Sequence, residues 1–306
     1  MAKKRSVARK IAEYLIVRSI LGFISIFPIS FSMKIGEAFG GFCCYLFGRL
    51  RRTAFRNLEL ALPEATLYER KKIVKGVFRS LGRQLGLFSH LGRIKPSEIL
   101  EITEIVGREN LDKAYQAKKG VIIFTGHFGG WEVSSFLPGL FGYKLNIIVR
   151  RIDNSLVEAY VDKIRTSFGT VTLDKLRSSR KVLRILSEGG LVGILADLNM
   201  QERDGVFVDF FGIKASTTPA VAKLALMTGA KIVPVFIIWD ERKKKYIVNI
   251  EPEIEYEKGN ASEEAVISLT QVVTKKIEEF VRRFPDQWLW IHKRWKTRPV
   301  GERNLY

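Results

Sequence analysis

The sequence predicts an α/β fold in which helices flank a largely parallel central sheet, preceded by an N-terminal helical segment that associates with a membrane. Two observations predict it. From Gly120 onward, short apolar β-branched runs alternate with stretches of helical period. Before that, residues 19–33 and 38–48 carry no charge. A chain of 306 residues can bury a large core, so residues 51–306 are expected to form one catalytic domain after a segment of residues 1–50.

The N-terminal segment is expected to contact a membrane. A spanning helix needs about 20 apolar residues, and the first uncharged run falls short unless Arg18 extends to the interface. Pro28 also interrupts that run. We therefore expect an inserted or interfacial anchor, with a single span left open, and the basic residues before it would favour a cytoplasmic N-terminus. The alternative is a buried helical hairpin of the domain.

The excess of positive charge indicates negatively charged partners. The chain has 51 Lys and Arg against 32 Asp and Glu, a formal net charge of +19. Anionic membrane lipids, phosphorylated substrates or an acidic protein would fit this charge. No nucleic-acid recognition motif is present, so nucleic acid is not expected as a partner. The alternative is that the basic excess serves only solubility.

Cysteine and histidine usage argues against a metal site. The two cysteines, Cys43 and Cys44, are adjacent, and neighbouring residues seldom pair without strain, which favours reduced thiols and a cytosolic setting. The three histidines are scattered, and neither a His-Glu-x-x-His nor a paired Cys-x-x-Cys motif occurs. No metal cofactor is therefore expected.

The expected elements follow in chain order. A basic segment, 49–56, precedes a stretch of helical spacing over 64–91. Apolar runs predict strands at 121–125, 145–149, 171–173, 191–196, 206–211 and 232–238, with an alternating edge strand at 246–254. Helices are predicted at 154–168, 178–187, 217–227 and 261–284. Sites in such sheets lie at the carboxyl ends of strands, where Arg150, His127 and Asp197 are found.

The segment Thr125-Gly-His-Phe-Gly-Gly-Trp-Glu132 is the sharpest chemical feature. Glycines after a buried strand permit a tight turn. Acyl transfer to an alcohol needs a base, which neutral His127 can provide, while Glu132 would fix its tautomer and stabilise the imidazolium. The nucleophile would belong to the substrate, which explains the absence of a Gly-x-Ser-x-Gly motif. The alternative is that His127 caps the next helix and Glu132 is solvated.

The chain resembles the late acyltransferases of lipid A biosynthesis, the lauroyl and myristoyl transferase family within the lysophospholipid acyltransferase-like superfamily. The mannoside acyltransferases of mycobacterial glycolipids are similar too. The motifs cover nearly the whole chain and comprise 56–58 with 62–63, 126–128 with Glu132, Arg150 with 153–154, Arg165, Asp197, 207–212, 216–219, 229–230 with 233–234, and 285–299.

The resemblance implies a fold like that of glycerol-3-phosphate acyltransferases and no cofactor. It implies acyl carrier protein, or coenzyme A, as the donor and a glycolipid as the acceptor, at the inner face of the cytoplasmic membrane. His127 and Glu132 match the catalytic pair, Arg165 a site arginine near the thioester oxygen or a phosphate, and Asp197 a substrate-orienting carboxylate. Lipid A enzymes often carry bulkier residues than Gly129-Gly130-Trp131, which leaves the acceptor open.

The matched residues also have simpler interpretations. Arg165 could be a solvated helical residue, and Arg150, expected to bind substrate, could pair with Asp153. Asp197 beside a buried strand requires a partner. The C-terminal Trp, His and Arg cluster is expected to be structural, with aromatics covering the sheet and cations facing phosphate or lipid. Two other functions stay open: an acyl-CoA-dependent glycerophospholipid acyltransferase, and a non-catalytic basic protein that binds membranes or nucleic acid.

Overall fold

A computed structural model describes residues 6–306. Its centre is a seven-stranded sheet with the strand order β1-β9-β8-β2-β5-β3-β4, and β6 and β7 form a separate antiparallel pair. The strands are β1 (Thr103–Val106), β2 (Val121–Thr125), β3 (Leu145–Val149), β4 (Val171–Asp174), β5 (Leu191–Leu195), β6 (Val206–Phe210), β7 (Ile213–Thr217), β8 (Lys231–Asp240) and β9 (Lys245–Ile250).

Strand direction confirms the mostly parallel sheet. The strands β8, β2, β5, β3 and β4 all run the same way, β9 pairs antiparallel with β8, and β1 pairs parallel with β9. The prediction of an edge strand over 246–254 is wrong, because β1 covers β9 on its outer side. Only four residues long, β1 is too short to produce a recognisable period in the sequence.

The helices flank this sheet as predicted. They are α1 (Val7–Ile24), α2 (Ile29–Leu46), α3 (Gly48–Ala61), α4 (Leu67–Leu91), α5 (Pro96–Ile102), α6 (Arg108–Gln116), α7 (Leu137–Leu140), α8 (Ser155–Arg165), α9 (Ser179–Ser187), α10 (Ala220–Thr228) and α11 (Glu263–Arg283). The helix predicted from residue 217 begins only at Ala220. Thr217 belongs to β7, and Pro219 disfavours helical geometry in the residue before it.

Alternate residues of the strands feed two cores. Ile122, Phe124 and Ile194 pack with residues of α9, α10 and α11 on one face. Val121 and Ile123 pack with residues of α1, α2, α6 and α8 on the other. Helix α4 contributes to both cores. The period of two in a strand therefore directs alternate side chains of β2 to the two cores, one on each face of the sheet.

Helix α2 is held tightly against α4. A Cβ added at Gly36 would collide with the carbonyl oxygen of Gly82, and one added at Gly86 would collide with that of Ser32. Only glycine allows two helix backbones to approach so closely. The opposite side of α2 is thereby presented outward in a fixed orientation.

The N-terminal segment predicted over 1–50 forms α1 and α2 within the described residues, and residues 1–5 lie outside them. None of the helices described is long and apolar enough to cross a membrane. Of the 25 large hydrophobic side chains exposed in the described part of the chain, 14 lie between Val7 and Leu50. Helix α1 also packs on α8, where the Asn154 side chain donates to the carbonyl oxygen of Lys10 at 2.9 Å. The segment is thus joined to the domain and exposes much apolar surface.

Candidate active site

The loop after β2 turns sharply because its glycines allow close contacts. A Cβ on Gly126 would lie 3.1 Å from Oδ2 of Asp197 and 3.0 Å from the ring of Phe128. Gly129 adopts a positive φ of 36°, and a Cβ there would lie 2.7 Å from the carbonyl oxygen of Ile237. The turn therefore depends on glycine at both positions, and it presents His127 at the carboxyl end of the strand.

His127 and Asp197 are brought together by the parallel register of β2 and β5. Thr125 pairs with Leu195, so two residues further along each strand His127 and Asp197 lie side by side. Oδ2 of Asp197 accepts the backbone N–H of His127 at 2.7 Å, and Oδ1 lies 2.7 Å from ring Nδ1. The expectation that buried Asp197 needs a partner is met by His127 on both carboxylate oxygens.

A third donor comes from the C-terminal segment. Nε1 of Trp288 donates to Oδ2 of Asp197 at 2.8 Å, and Trp288 also forms an isolated bridge with Phe128. Both Asp197 and Trp288 are buried. Three donors therefore hold the carboxylate, two on Oδ2 and one on Oδ1.

Electrostatics fixes the protonation of the pair. Burial by itself would raise the pKa of Asp197, but the charge of His127 and the hydrogen bonds from His127 and Trp288 outweigh burial and lower it. Burial would likewise lower the pKa of His127, but the charge and hydrogen bond of Asp197, with a further contribution from Glu132, raise it. An ionised carboxylate can only accept, so Nδ1 carries a proton, and in the neutral form of the ring Nε2 has the free lone pair.

Glu132 does not make the contact expected of it. It lies in a short 3₁₀ helix (Trp131–Ser135), where its carboxylate receives two bonds from Arg165, Nε at 2.9 Å and Nη2 at 2.5 Å. The ring of His127 is hydrogen-bonded by Asp197 instead, which corrects the expectation that Glu132 fixes the tautomer. Glu132 still acts on His127 through its charge.

Arg165 and Arg150 lie in different environments. The Arg165 side chain is mostly buried at the C-terminal end of α8, so it is not the solvated residue of the simpler interpretation. Arg150 has a side chain that is 85% exposed and lies 3.8 Å from Asp153. It lines the rim of the same cleft as His127 and Arg165.

The C-terminal segment is largely structural, as expected of its aromatics, but two of its side chains depart from the prediction. Arg294 is buried rather than facing lipid, and it donates to the carbonyl oxygen of Ser216 at 2.8 Å; burial lowers its pKa to about 10. His292 lines the cleft, and its Nε2 accepts the backbone N–H of Asn199 at 3.1 Å. Burial lowers the pKa of His292 to about 4, so this ring is neutral at pH 7.

His292 was not predicted as a site residue, and a sequence signal for it existed. The buried Asn57, part of the Arg-Asn-Leu motif, donates from Nδ2 to the carbonyl oxygens of Trp290 and His292, both at 2.6 Å. Two motifs more than 230 residues apart are thus joined around the site. The presence of both motifs in one chain is therefore the sequence signal that the segment around His292 belongs near the site.

Two spaces meet at this site. An open cleft of about 710 Å³ contains His127 and is bounded by residues of α9 and α10. A narrow apolar cavity of about 80 Å³ lies against the other face of the sheet and is lined by Ile123, Leu145 and Gly193 among others. Trp131, Glu132 and Arg165 line both. The first carbons of an apolar chain could enter the cavity while the head of the same molecule stays beside His127.

No group of three or more His, Cys, Asp or Glu side chains within residues 6–306 is arranged to hold a metal ion. The chemistry that the site supports is proton transfer by His127, backed by a buried carboxylate.

Comparison with known proteins identifies the family of this chain. The family described as bacterial lipid A biosynthesis acyltransferase matches residues 2–297. The lipid A biosynthesis palmitoleoyltransferase of Escherichia coli is 28% identical over 273 residues, covering 89% of this chain and 87% of the relative. The E. coli lauroyltransferase is 26% identical, covering 94% and 92%, and the E. coli myristoyltransferase is 24% identical, covering 92% and 86%.

Proposed function

Since this chain belongs to the bacterial lipid A biosynthesis acyltransferase family, we propose that it moves a fatty acyl group from a thioester donor to a hydroxyl of a lipid A precursor or related glycolipid. The donor is an acyl thioester of acyl carrier protein or of coenzyme A. One observation carries the proposal. His127, backed by the buried Asp197, lies where an open cleft meets an apolar cavity.

The proposed reaction is a single proton-coupled transfer. Nε2 of His127 takes the proton from the acceptor hydroxyl as its oxygen attacks the thioester carbonyl carbon. The C–S bond then breaks, the ester forms, and the imidazolium returns the proton to the departing thiolate. Asp197 stabilises the imidazolium throughout, as the carboxylate of a catalytic triad does.

Arg165 and Glu132 would organise the neighbouring charge. The bidentate pair places a guanidinium and a carboxylate at the wall shared by cleft and cavity. Arg165 has donors beyond those that Glu132 occupies, and they are available for a thioester oxygen or phosphate. On this proposal Glu132 orients Arg165 and adds negative charge near His127.

The first carbons of the acyl chain would enter the apolar cavity, which at about 80 Å³ admits only a short part of the chain. The lining residues are mostly aliphatic, from β2, β3, β5 and β8 and from α6 and α7. At the rim of the cleft, the exposed Arg150 would meet the phosphate of the donor or acceptor.

We also propose that α1 and α2 lie in the interface of the cytoplasmic membrane, with the site facing the cytoplasm. The exposed apolar residues of these helices include Ile16, Phe23 and Phe42, and Ile26 in the turn between the helices is exposed as well. A membrane-embedded acceptor would then reach the cleft without leaving the bilayer.

The test is transfer by the purified protein from acyl carrier protein and acyl-CoA donors to a lipid A precursor, followed by mass spectrometry of the product. His127→Ala should lose about 10²- to 10⁴-fold in turnover while remaining folded. The matched control is His90→Ala, which removes a histidine of α4 that is hydrogen-bonded to Ser32 of α2. Near-normal turnover by His127→Ala would remove the catalytic assignment.

A further inference from the structure

A second large groove lies apart from the active site. It has a volume of about 830 Å³ and runs between α2, α4 and the β8–β9 hairpin. None of its lining residues lines the cleft around His127. The groove is therefore a separate feature of the surface, and it lies along α2, one of the two helices proposed to contact the membrane.

The charges in this groove leave two lysines without an acidic partner. It contains five basic side chains and two acidic ones. Glu37 is paired with both Arg79 and Arg83, and Glu241 is paired with both Lys244 and Arg83. Both carboxylates are thus already neutralised.

Lys34 and Lys75 are the remaining cations. Both are exposed, and within residues 6–306 neither forms an ion pair with an acidic side chain. Lys34 belongs to α2 and Lys75 to α4, and the two helices pack antiparallel with Ser32 against Gly86 and Gly36 against Gly82. Lys75 therefore lies level with the Phe42 and Tyr45 end of the groove and Lys34 toward its other end. Two unpaired ammonium groups in one groove give it a positive potential that favours an anion.

The wall beside the lysines is apolar and aromatic. Phe42 and Tyr45 line the groove and are 58% and 66% exposed on the outer side of α2. The guanidinium of Arg83 lies 4.7 Å from the centre of the Trp239 ring, which closes the groove at the hairpin. Cations above exposed aromatic rings are typical of the boundary between headgroups and acyl chains.

We propose that this groove binds the phosphate headgroup of one anionic phospholipid of the bilayer. Lys75 contacts the phosphate, Lys34 adds to the positive potential of the groove, and Phe42 and Tyr45 lie beside the glycerol and the first acyl carbons. The proposal rests on the membrane contact proposed above. A phosphorylated acceptor carries the same chemistry, but the groove shares no residue with the cleft, so we assign it to a resident lipid.

The experiment measures lipid retention in detergent, where no extended charged surface exists. Purified protein is incubated with dioleoyl phosphatidylglycerol or dioleoyl phosphatidylcholine and analysed by native mass spectrometry. The wild type should retain one phosphatidylglycerol in preference to phosphatidylcholine. Lys34→Gln with Lys75→Gln should lower that retention at least tenfold, since each lysine contributes to phosphate affinity.

The matched control is Arg49→Gln with Arg52→Gln, which removes two exposed charges from α3 outside the groove. That pair should retain phosphatidylglycerol as the wild type does. Circular dichroism checks that every variant is folded. Equal retention of both lipids by the wild type, or unchanged retention by the lysine variant, would overturn the proposal.

Two further measurements distinguish a bound bilayer lipid from a bound acceptor, and lipid binding from acyl transfer. If a lipid A precursor displaces phosphatidylglycerol one for one, the groove belongs to the acceptor and the assignment to a bilayer lipid is wrong. His127→Ala should retain phosphatidylglycerol like the wild type, because the groove and the cleft share no residue. Lipid retention is thereby measured independently of whether the proposed acyl transfer occurs.

Discussion

Trp288 donates its indole N–H to the same carboxylate oxygen of Asp197 that receives the backbone N–H of His127, at 2.8 and 2.7 Å. The strand-end histidine, a carboxylate 70 residues further on and a tryptophan near the C-terminus thus form one hydrogen-bonded unit. The unit contains no Ser or Cys nucleophile, which is consistent with attack by a hydroxyl of the substrate.

Replacing Trp288 tests this unit from its outer end. Trp288→Phe replaces the indole by an aromatic ring without an N–H and so removes a hydrogen bond to a charged acceptor. We expect kcat to fall about tenfold. The Asp197 carboxylate should also gain a proton more easily, which changes the acid limb of the kcat pH profile. Trp290→Phe is the control, because buried Trp290 donates instead to the carbonyl oxygen of Pro285. Equal losses in both variants would assign Trp288 a purely structural role.

Asp197→Asn should be more damaging than Glu132→Gln. Asparagine leaves the geometry in place but can present its amide N–H to Nδ1 of His127, which favours the wrong tautomer. We expect kcat to fall by about 10³- to 10⁴-fold, as in a triad that loses its carboxylate. Steady-state kinetics of both variants decides this. A larger loss in Glu132→Gln would return the orienting role to Glu132.

The pH dependence follows from the raised pKa of His127. A general base must be neutral, so wild-type kcat/KM should fall as pH decreases through a pKa above the ordinary value of 6.5. Removing the charge of Asp197 leaves burial, which lowers the pKa of His127. In the residual activity of Asp197→Asn, the acid limb should therefore move to lower pH. A limb that stays in place would mean that another group titrates.

The Glu132–Arg165 pair should behave as one unit. Arg165→Lys keeps the charge but loses the two-pronged contact, so activity should fall sharply. Together with Glu132→Gln and the double variant it completes a double-mutant cycle. The loss of activity in the double variant should be smaller than the sum of the two single losses. Arg184→Lys is the control, since its pair with Glu188 is exposed and such pairs contribute about 0–1 kcal/mol. Additive losses would separate the two residues.

Chain-length preference should respond to Gly193. This residue lines the apolar cavity, and a Cβ there would lie 3.2 Å from the Ile147 side chain. Gly193→Val should narrow the cavity and shift preference to shorter acyl chains, measured by competition among thioesters of graded length. Gly22→Val in α1, where an added Cβ meets nothing within 4 Å, serves as the control. An unchanged preference would place the acyl chain elsewhere.

Membrane contact should depend on the apolar face of α1. Ile16→Asn with Phe23→Asn should lower partition onto vesicles by about 10-fold or more, since burying each side chain contributes about 1.5–3 kcal/mol. Leu176→Asn, at an 88% exposed residue of the loop before α9, should leave partition unchanged. Flotation of vesicles measures both. Unaltered partition of the α1 variant would reject the interfacial helix.

The sequence alone located the parallel strands β2, β3, β4, β5 and β8 and the helices α8, α9 and α11, because their periods are local properties of the chain. The runs at 121–125 and 145–149 coincide with β2 and β3. It also located His127, Glu132, Arg165 and Asp197, through glycine placement, strand ends and family motifs.

Only the tertiary structure decided which of these residues touch. Local patterns specify strands but not their neighbours, so nothing in the sequence shows that β5 lies beside β2. Because β5 lies beside β2, Asp197 forms the hydrogen bond to the ring of His127. Glu132 does not form it, although it is only five residues away in the chain. Glu132 instead meets Arg165 from the end of α8. Partner choice depends on long-range strand order and burial, which the spacing of residues along the chain does not encode.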